Sequence, residues 1–168
     1  MMICSLLIVI AIGDGVVANT LKKTVARPRP FQVLRNVRTL DLQKRKPRFL
    51  ALALPPRAEI SDPEPGLVKG NSFPSSHTVN NFSAAVVLTL FYRRWGWLYF
   101  IPAALVAYSR IYVGVHWPTD VLTGIFIGLG VAFLVLAALE AAWRRFGAGV
   151  APKLHARHPG LVEIREET

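Results

Sequence analysis

Four stretches of this chain are almost empty of charge, and they constrain its fold more than any other feature. Met1–Ala18, Trp97–Val113 and Val121–Ala142 are apolar runs interrupted by a single charge each, and Val79–Tyr92 adds a shorter run with none. A helix needs about 20 apolar residues to cross the roughly 30 Å of hydrocarbon in a bilayer, and two of these runs approach that length. Over 168 residues, 52% are hydrophobic and 18% charged, whereas soluble domains carry about a quarter of charged residues. That balance argues against a soluble globular enzyme and against a disordered chain. Cys4 stands alone inside an apolar run, so a disulfide scaffold is equally disfavoured. The chain reads as an all-α, polytopic membrane helical bundle.

About four transmembrane helices are expected. The first covers Met1–Ala18 and is retained rather than cleaved, because it has no basic leader and Asp14 interrupts it. Asp14 is itself a candidate functional residue, since an ionisable group inside a span is costly. The second helix begins near Pro74-Ser75-Ser76, whose serines suit an N-cap, and runs to Tyr92. Arg93-Arg94-Trp95-Gly96 reads as a tight hairpin at the membrane surface. The third helix runs from Trp97 to Val113, and Pro118 opens a fourth that continues to Trp143. Thr20–Ser72 is too long for a structureless loop, and short interfacial helices are expected at Phe31–Leu42 and Arg48–Leu54. Residues 1–146 thus form a membrane domain, and residues 147–168 read as a polar, disordered tail.

The net charge of +10 is concentrated in one place. Twelve of the 20 Lys and Arg residues fall between Thr20 and Ser72, opposed only by Asp41, Glu59, Asp62 and Glu64. Few aromatics accompany them and the segment is tethered between spans, which argues against nucleic acid. Anionic lipid headgroups and phosphorylated ligands are the better partners.

Following the helices up and down places the end of the first, the start of the second, the end of the third and the start of the fourth at one face. Those four places hold Lys22, Arg29, Ser75, Ser76, His77, Ser109, Arg110, His116 and Asp120. Singly, each has a plain structural reading: a snorkelling arginine, a surface histidine, a histidine bonded to the carboxylate four residues on. Together they describe a phosphoryl-transfer site. Helix N-terminal N–H groups and arginines bind phosphate oxygens. A phosphoryl group in flight needs this density of donors. One histidine then attacks and the other protonates the departing oxygen.

Lys22-x6-Arg29-Pro30, Pro74-Ser75-Ser76-His77 and Ser109-Arg110-x5-His116-x3-Asp120 resemble the three-part signature of the type 2 phosphatidic acid phosphatase and vanadium haloperoxidase superfamily. The one departure is Ser76, where the family usually has glycine. The resemblance implies a membrane lipid phosphatase without a metal or other cofactor. His116 would form a phosphohistidine, Asp120 would orient it, and His77 would serve as general acid and then base. Lys22, Arg29 and Arg110 would hold phosphate, helped by Ser75, Ser76 and Ser109. It also implies a lipid substrate of the phosphatidate, phosphatidylglycerol phosphate or undecaprenyl pyrophosphate type, and a bacterial plasma membrane with the site on the extracytoplasmic side. Members of this kind often carry six spans, with two or more ahead of the lysine motif. Either this is a compact four-span member, or the sequence begins downstream of the natural start.

Three rival readings stand beside it. A vanadium haloperoxidase would be soluble, which the apolar runs oppose. A non-catalytic membrane scaffold or lipid-phosphate-binding protein has no need of a nucleophile. A metal hydrolase on His77, His116 and Asp120 would place a cation among basic residues. On orientation the charges disagree: Arg93-Arg94 and Arg144-Arg145 mark the opposite face as cytoplasmic, while the basic connection outvotes them by count.

Overall fold

The computed structural model describes residues 1–41, 57–63, 66 and 70–162. The N-terminal apolar run and the residues after it form one helical rod: α1 (Met2–Ile10), a π-helical stretch (Ala11–Ala18) and α2 (Asn19–Val25). The rod outruns the expected end at Ala18 because nothing before Ala26 breaks it. Ala26 adopts a left-handed conformation (φ 46°) and its N–H bonds the Lys22 carbonyl at 3.0 Å, a helix-terminating geometry. Pro28 and Pro30 follow and prevent continuation.

The segment after the rod departs from expectation. A short helix, α3 (Pro30–Val33), starts on a proline, and Gln32 Oε1 accepts the Arg29 N–H at 2.8 Å. In place of an interfacial helix over Phe31–Leu42, residues Arg38–Asp41 form strand β1, paired antiparallel with β2 (Arg57–Ile60) in the register Arg38↔Ile60 to Asp41↔Arg57. The all-α expectation is corrected to a mostly helical fold with a two-stranded sheet. The partner strand lies well along the chain, so local periodicity could not reveal the pairing. The expected helix at Arg48–Leu54 falls outside the described residues.

The remaining elements are α4 (Ser76–Gly96), a 3₁₀ turn (Trp97–Tyr99), α5 (Phe100–Tyr112), α6 (Pro118–Val150) and α7 (Pro152–Arg157). The Arg93–Gly96 turn is helical but kinked at Arg93 (φ 36°). Gly96 allows it, since a Cβ there would sit 2.4 Å from Thr89 Cα. The described part of the tail, residues 147–162, carries helical structure. The fourth helix continues to Val150, and α7 folds back on it with Trp143 Nε1 donating to His158 O at 2.8 Å.

α4 is the central helix. One buried cluster joins Val9 of α1, Val86 and Val87 of α4, and Ala132 and Leu136 of α6. A second joins Phe82 and Ala85 of α4, Ala103 and Ala107 of α5, and Val121 of α6. Small residues bring α6 close to the start of α4. A Cβ at Gly124 would lie 3.0 Å from Thr78 Cβ, and one at Gly128 would lie 2.7 Å from the Val79 carbonyl, the close approach that small-xxx-small spacing permits. Ser83 Oγ donates to Gly128 O at 2.9 Å across the same seam.

Among the described residues, two helices are long and apolar enough to cross a membrane by length and composition, one within Met2–Val33 and the other α6. Of the about four spans expected, these two pass that test, and α4 and α5 are not among them. The 21 residues of α4 open on a polar stretch. The 13 residues of α5 rise only about 20 Å, short of the about 30 Å hydrocarbon layer.

Candidate active site

The end of α2, the start of α4, the end of α5 and the start of α6 converge, and backbone bonds fix the meeting. The Gly70 N–H donates to Ala26 O at 3.2 Å and the Ser72 N–H to Arg27 O at 3.0 Å, tying the post-rod segment to the strand of chain that leads into α4. Trp117 Nε1 donates to Pro28 O at 2.9 Å, and the Ser75 N–H donates to Asp120 O at 3.2 Å. Gly70 is required at this crossing, where a Cβ would stand 2.6 Å from Arg27 O.

Asp120 lies at the N-terminus of α6 and is fully buried. Its Oδ2 accepts the Trp117 N–H at 3.0 Å, capping the helix, and also accepts the Ser72 hydroxyl. Its Oδ1 accepts from Arg27 Nη1 at 2.8 Å. That same nitrogen reaches Thr119 Oγ1 at 2.7 Å, while the guanidinium lies over the Trp117 ring, 5.1 Å from its centroid. His116 Nδ1 is 3.7 Å from Asp120 Oδ2 and 3.5 Å from Ser72 Oγ.

His116 sits in the connection between α5 and α6, buried to 6% exposure. Burial, reinforced by the positive field of Arg29, lowers its pKa to about 4, against the smaller opposing pull of the Ser72 backbone and Asp120. The imidazole is therefore neutral at ordinary pH. Arg29, Arg110 and Lys22 all lie within electrostatic reach of His77, and His77 within reach of His116. His77 itself is exposed on the first turn of α4.

Ser75 is buried and its Oγ accepts from Thr78 Oγ1 at 3.0 Å. No side chain caps the N-terminus of α4, so its leading N–H groups remain available. Ser76 is engaged elsewhere. It accepts from Lys22 Nζ and donates to Asp14 Oδ1, whose Oδ2 takes the Asn80 amide at 3.3 Å. Asp14 thus lies in the π-helical stretch, a feature frequent at functional sites, and faces the start of α4. Ser109 is turned back on its own helix. Its hydroxyl donates to Val106 O at 2.7 Å and accepts Arg110 Nε and Nη2, each at 3.2 Å. Ser109 and Arg110 are thus bonded to each other, as Ser75 is to Thr78. Sequence reasoning passed over Arg27 and Ser72, both at the heart of the cluster. Their only sequence signal is position, Arg27 beside Arg29 and Ser72 just ahead of Pro74. Among the described residues, no group of three or more His, Cys, Asp or Glu side chains gathers as metal ligands would.

The family model of the PAP2 superfamily matches residues 3–144. The chain belongs to the PAP2 superfamily. Curated relatives of this PAP2 chain include the bacitracin transport permease protein BcrC of Bacillus licheniformis, 42% identical over 54% of this chain and 39% of the relative. An undecaprenyl-diphosphatase of Sulfolobus acidocaldarius is 47% identical over 38% of this chain and 31% of its own length. A lipid A 4'-phosphatase of Porphyromonas gingivalis is 42% identical over 54% of this chain and 37% of its own length. The chain therefore spans well under half the length of these relatives. Its fold is similar to the crystal structure of Aquifex aeolicus LpxE, with a TM-score of 0.57 and 26% identity over 81% of this chain and 67% of that one.

Proposed function

We propose that this PAP2 chain is a membrane-embedded phosphatase that hydrolyses a lipid phosphate or lipid pyrophosphate through a phosphohistidine. The observation that carries this reading is His116, buried and flanked on its Nδ1 side by Ser72 and Asp120, with Arg29 and His77 close by. A neutral imidazole held from behind is a competent nucleophile.

The reaction uses the chain's own groups. The phosphoryl group binds against the free N–H groups at the start of α4, with Arg29 and Arg110 gripping its oxygens bidentately and Lys22 adding a point charge. Ser75 and Ser76 supply hydroxyls to the same oxygens, Ser76 after exchanging a present partner. His116 Nε2 attacks phosphorus, the bond to the leaving oxygen breaks, and His77 gives that oxygen its proton. Water then attacks the phosphohistidine while His77 takes its proton, releasing inorganic phosphate. No step requires a metal or other cofactor.

The relatives named as undecaprenyl-diphosphatase and lipid A 4'-phosphatase support a lipid-linked phosphate as substrate class. The apolar rod and α6 support placement in a bilayer, with α4 packed against both and α5 against α4 and α6. We place the site on the extracytoplasmic side of a bacterial plasma membrane, where Arg93-Arg94 and Arg144-Arg145 become cytoplasmic anchors. A phosphate-release panel in detergent micelles tests the reading, comparing undecaprenyl pyrophosphate, phosphatidate, phosphatidylglycerol phosphate and lipid A. Release from at least one, undiminished by chelator, is expected. Release from none, or release abolished by chelation and restored by a divalent ion, overturns it.

A further inference from the structure

The four-residue spacing of His116 and Asp120 suggests a direct hydrogen bond, and the structure sets a second acceptor beside the carboxylate. The nearest carboxylate oxygen stands 3.7 Å from Nδ1, slightly farther than the Ser72 hydroxyl oxygen at 3.5 Å. Other groups fix the carboxylate in that place. Arg27 holds Oδ1 at 2.8 Å and the Trp117 N–H holds Oδ2 at 3.0 Å. Beside Oδ2, facing the same edge of the imidazole, stands the Ser72 hydroxyl, which donates to Oδ2 and lies 3.5 Å from Nδ1. Ser72 and Asp120 are both 0% exposed.

A proton inventory gives the arrangement its direction. A serine hydroxyl has one proton, and a carboxylate only accepts. The Ser72 proton is committed to Asp120, so toward His116 the same oxygen can only accept. Nδ1 then carries the ring proton, and the neutral imidazole keeps its lone pair on Nε2.

We propose that Ser72 is a positioning residue that, bonded to Asp120, presents the nearer acceptor on the Nδ1 side of His116 and so fixes the nucleophile's tautomer together with the carboxylate. The inference rests on the reading of His116 as nucleophile, and it assigns a role to a residue outside the three motifs. Phosphorylation at Nε2 leaves positive charge on the ring. Ser72 Oγ takes up part of it through Nδ1–H, and Asp120 polarises the hydroxyl in turn. Ser72 touches no reacting atom. The other charged or titratable groups facing His116 are Arg29 from the segment before α3 and His77 from α4, with Arg27 acting through Asp120.

Two measurements on the full chain in micelles test this. The first is ¹⁵N NMR of histidine-labelled, ligand-free protein, which reads the tautomer whether or not the protein turns over. The parent should show His116 protonated on Nδ1, and Ser72→Ala should shift it toward a mixture. The second is a kinetic cycle. Ser72→Ala and Asp120→Asn should each lower kcat roughly tenfold to a hundredfold with a smaller change in KM, and the double variant should fall no further than the worse single. Ser72→Thr, which keeps the hydroxyl, should recover most of the loss. An Nε2-protonated parent, or single losses that multiply in the double variant, would overturn this role. If Ser72→Ala does not fold, Ser72→Cys makes the same comparison with a weak donor of similar size. Failure of the phosphatase reading looks different, because the parent would then release no phosphate while the tautomer still reported on Ser72.

Discussion

Replacing Arg27 with alanine should loosen the site even though Arg27 belongs to no phosphate-binding motif. The side chain is 35% exposed and its partner carboxylate on Asp120 is 0% exposed, with 2.8 Å between them. Removing one member of a fully buried pair costs about 3–5 kcal/mol. Two features reduce that figure here. Solvent reaches Arg27 and screens the pair, and Asp120 keeps its bonds from Ser72 and the Trp117 N–H. The lost stacking on Trp117 adds back about 0.5–1 kcal/mol. The net expectation is a destabilisation of about 2 kcal/mol, in the range of a hydrogen bond to a charged group. If the whole amount is felt in the transition state, kcat/KM falls about 30-fold. Arg27→Lys should recover only part, because an ammonium cannot meet Asp120, Thr119 and the Trp117 face together. Denaturant titration in micelles reads the first number and initial rates of phosphate release read the second. An Arg27→Ala protein that unfolds and turns over like the parent would refute the reasoning. So would fully additive losses in Arg27→Ala combined with Asp120→Asn, since bonded partners should couple.

Three further outcomes are expected. Arg29→Ala and Arg110→Ala should each cut kcat/KM by about two or more orders of magnitude, and Lys22→Ala by less, because the arginines donate bidentately to the transition state; near-normal rates for both would assign them to the headgroup layer. Gly128→Leu should cost about 1–3 kcal/mol by forcing α6 off the Val79 carbonyl, while Gly130→Ala, whose Cβ would meet nothing within 4 Å, should melt like the parent. The His116 ring should titrate near 4 by NMR, below the ordinary 6.5; the unfolded chain then binds that proton first, so its contribution makes stability rise with pH between those values. Arg29→Ala should move the midpoint upward, and a parent midpoint at 6 or above would contradict the burial argument.

What the sequence made legible depended on how far each interaction reaches along the chain. The helices at the start, at α4, at α5 and at α6 follow from apolar runs and from the prolines at 28, 30 and 118, all of them local signals. The clustering of Lys22 with Ser76, and of His116 with Asp120, follows from topology and helical spacing. The β1–β2 pairing did not, because each strand is four residues long and its partner is remote. Arg27 and Ser72 were missed for the same reason. Their bonds to Asp120 span 93 and 48 residues and depend on the crossing at Gly70. The bond from the Ser109 hydroxyl to Val106 O, one turn back, was hidden as well, since a motif position does not show where a hydroxyl points. The order of α7 was hidden because Trp143 and Glu140, which hold the tail, lie inside the preceding helix.

The phosphohistidine is tested most directly by acid-free rapid quench of the parent with lipid substrate labelled in its terminal phosphate, followed by peptide mapping. Label should accumulate on the chain as an acid-labile, base-stable adduct at His116. It should be absent from His116→Ala, and in His77→Ala it should build up when an aryl phosphate replaces the lipid, because that leaving group needs less protonation while water still lacks its base. Label trapped at His77, or equal label in His116→Ala and the parent, would contradict the assignment and exchange the roles of the two histidines.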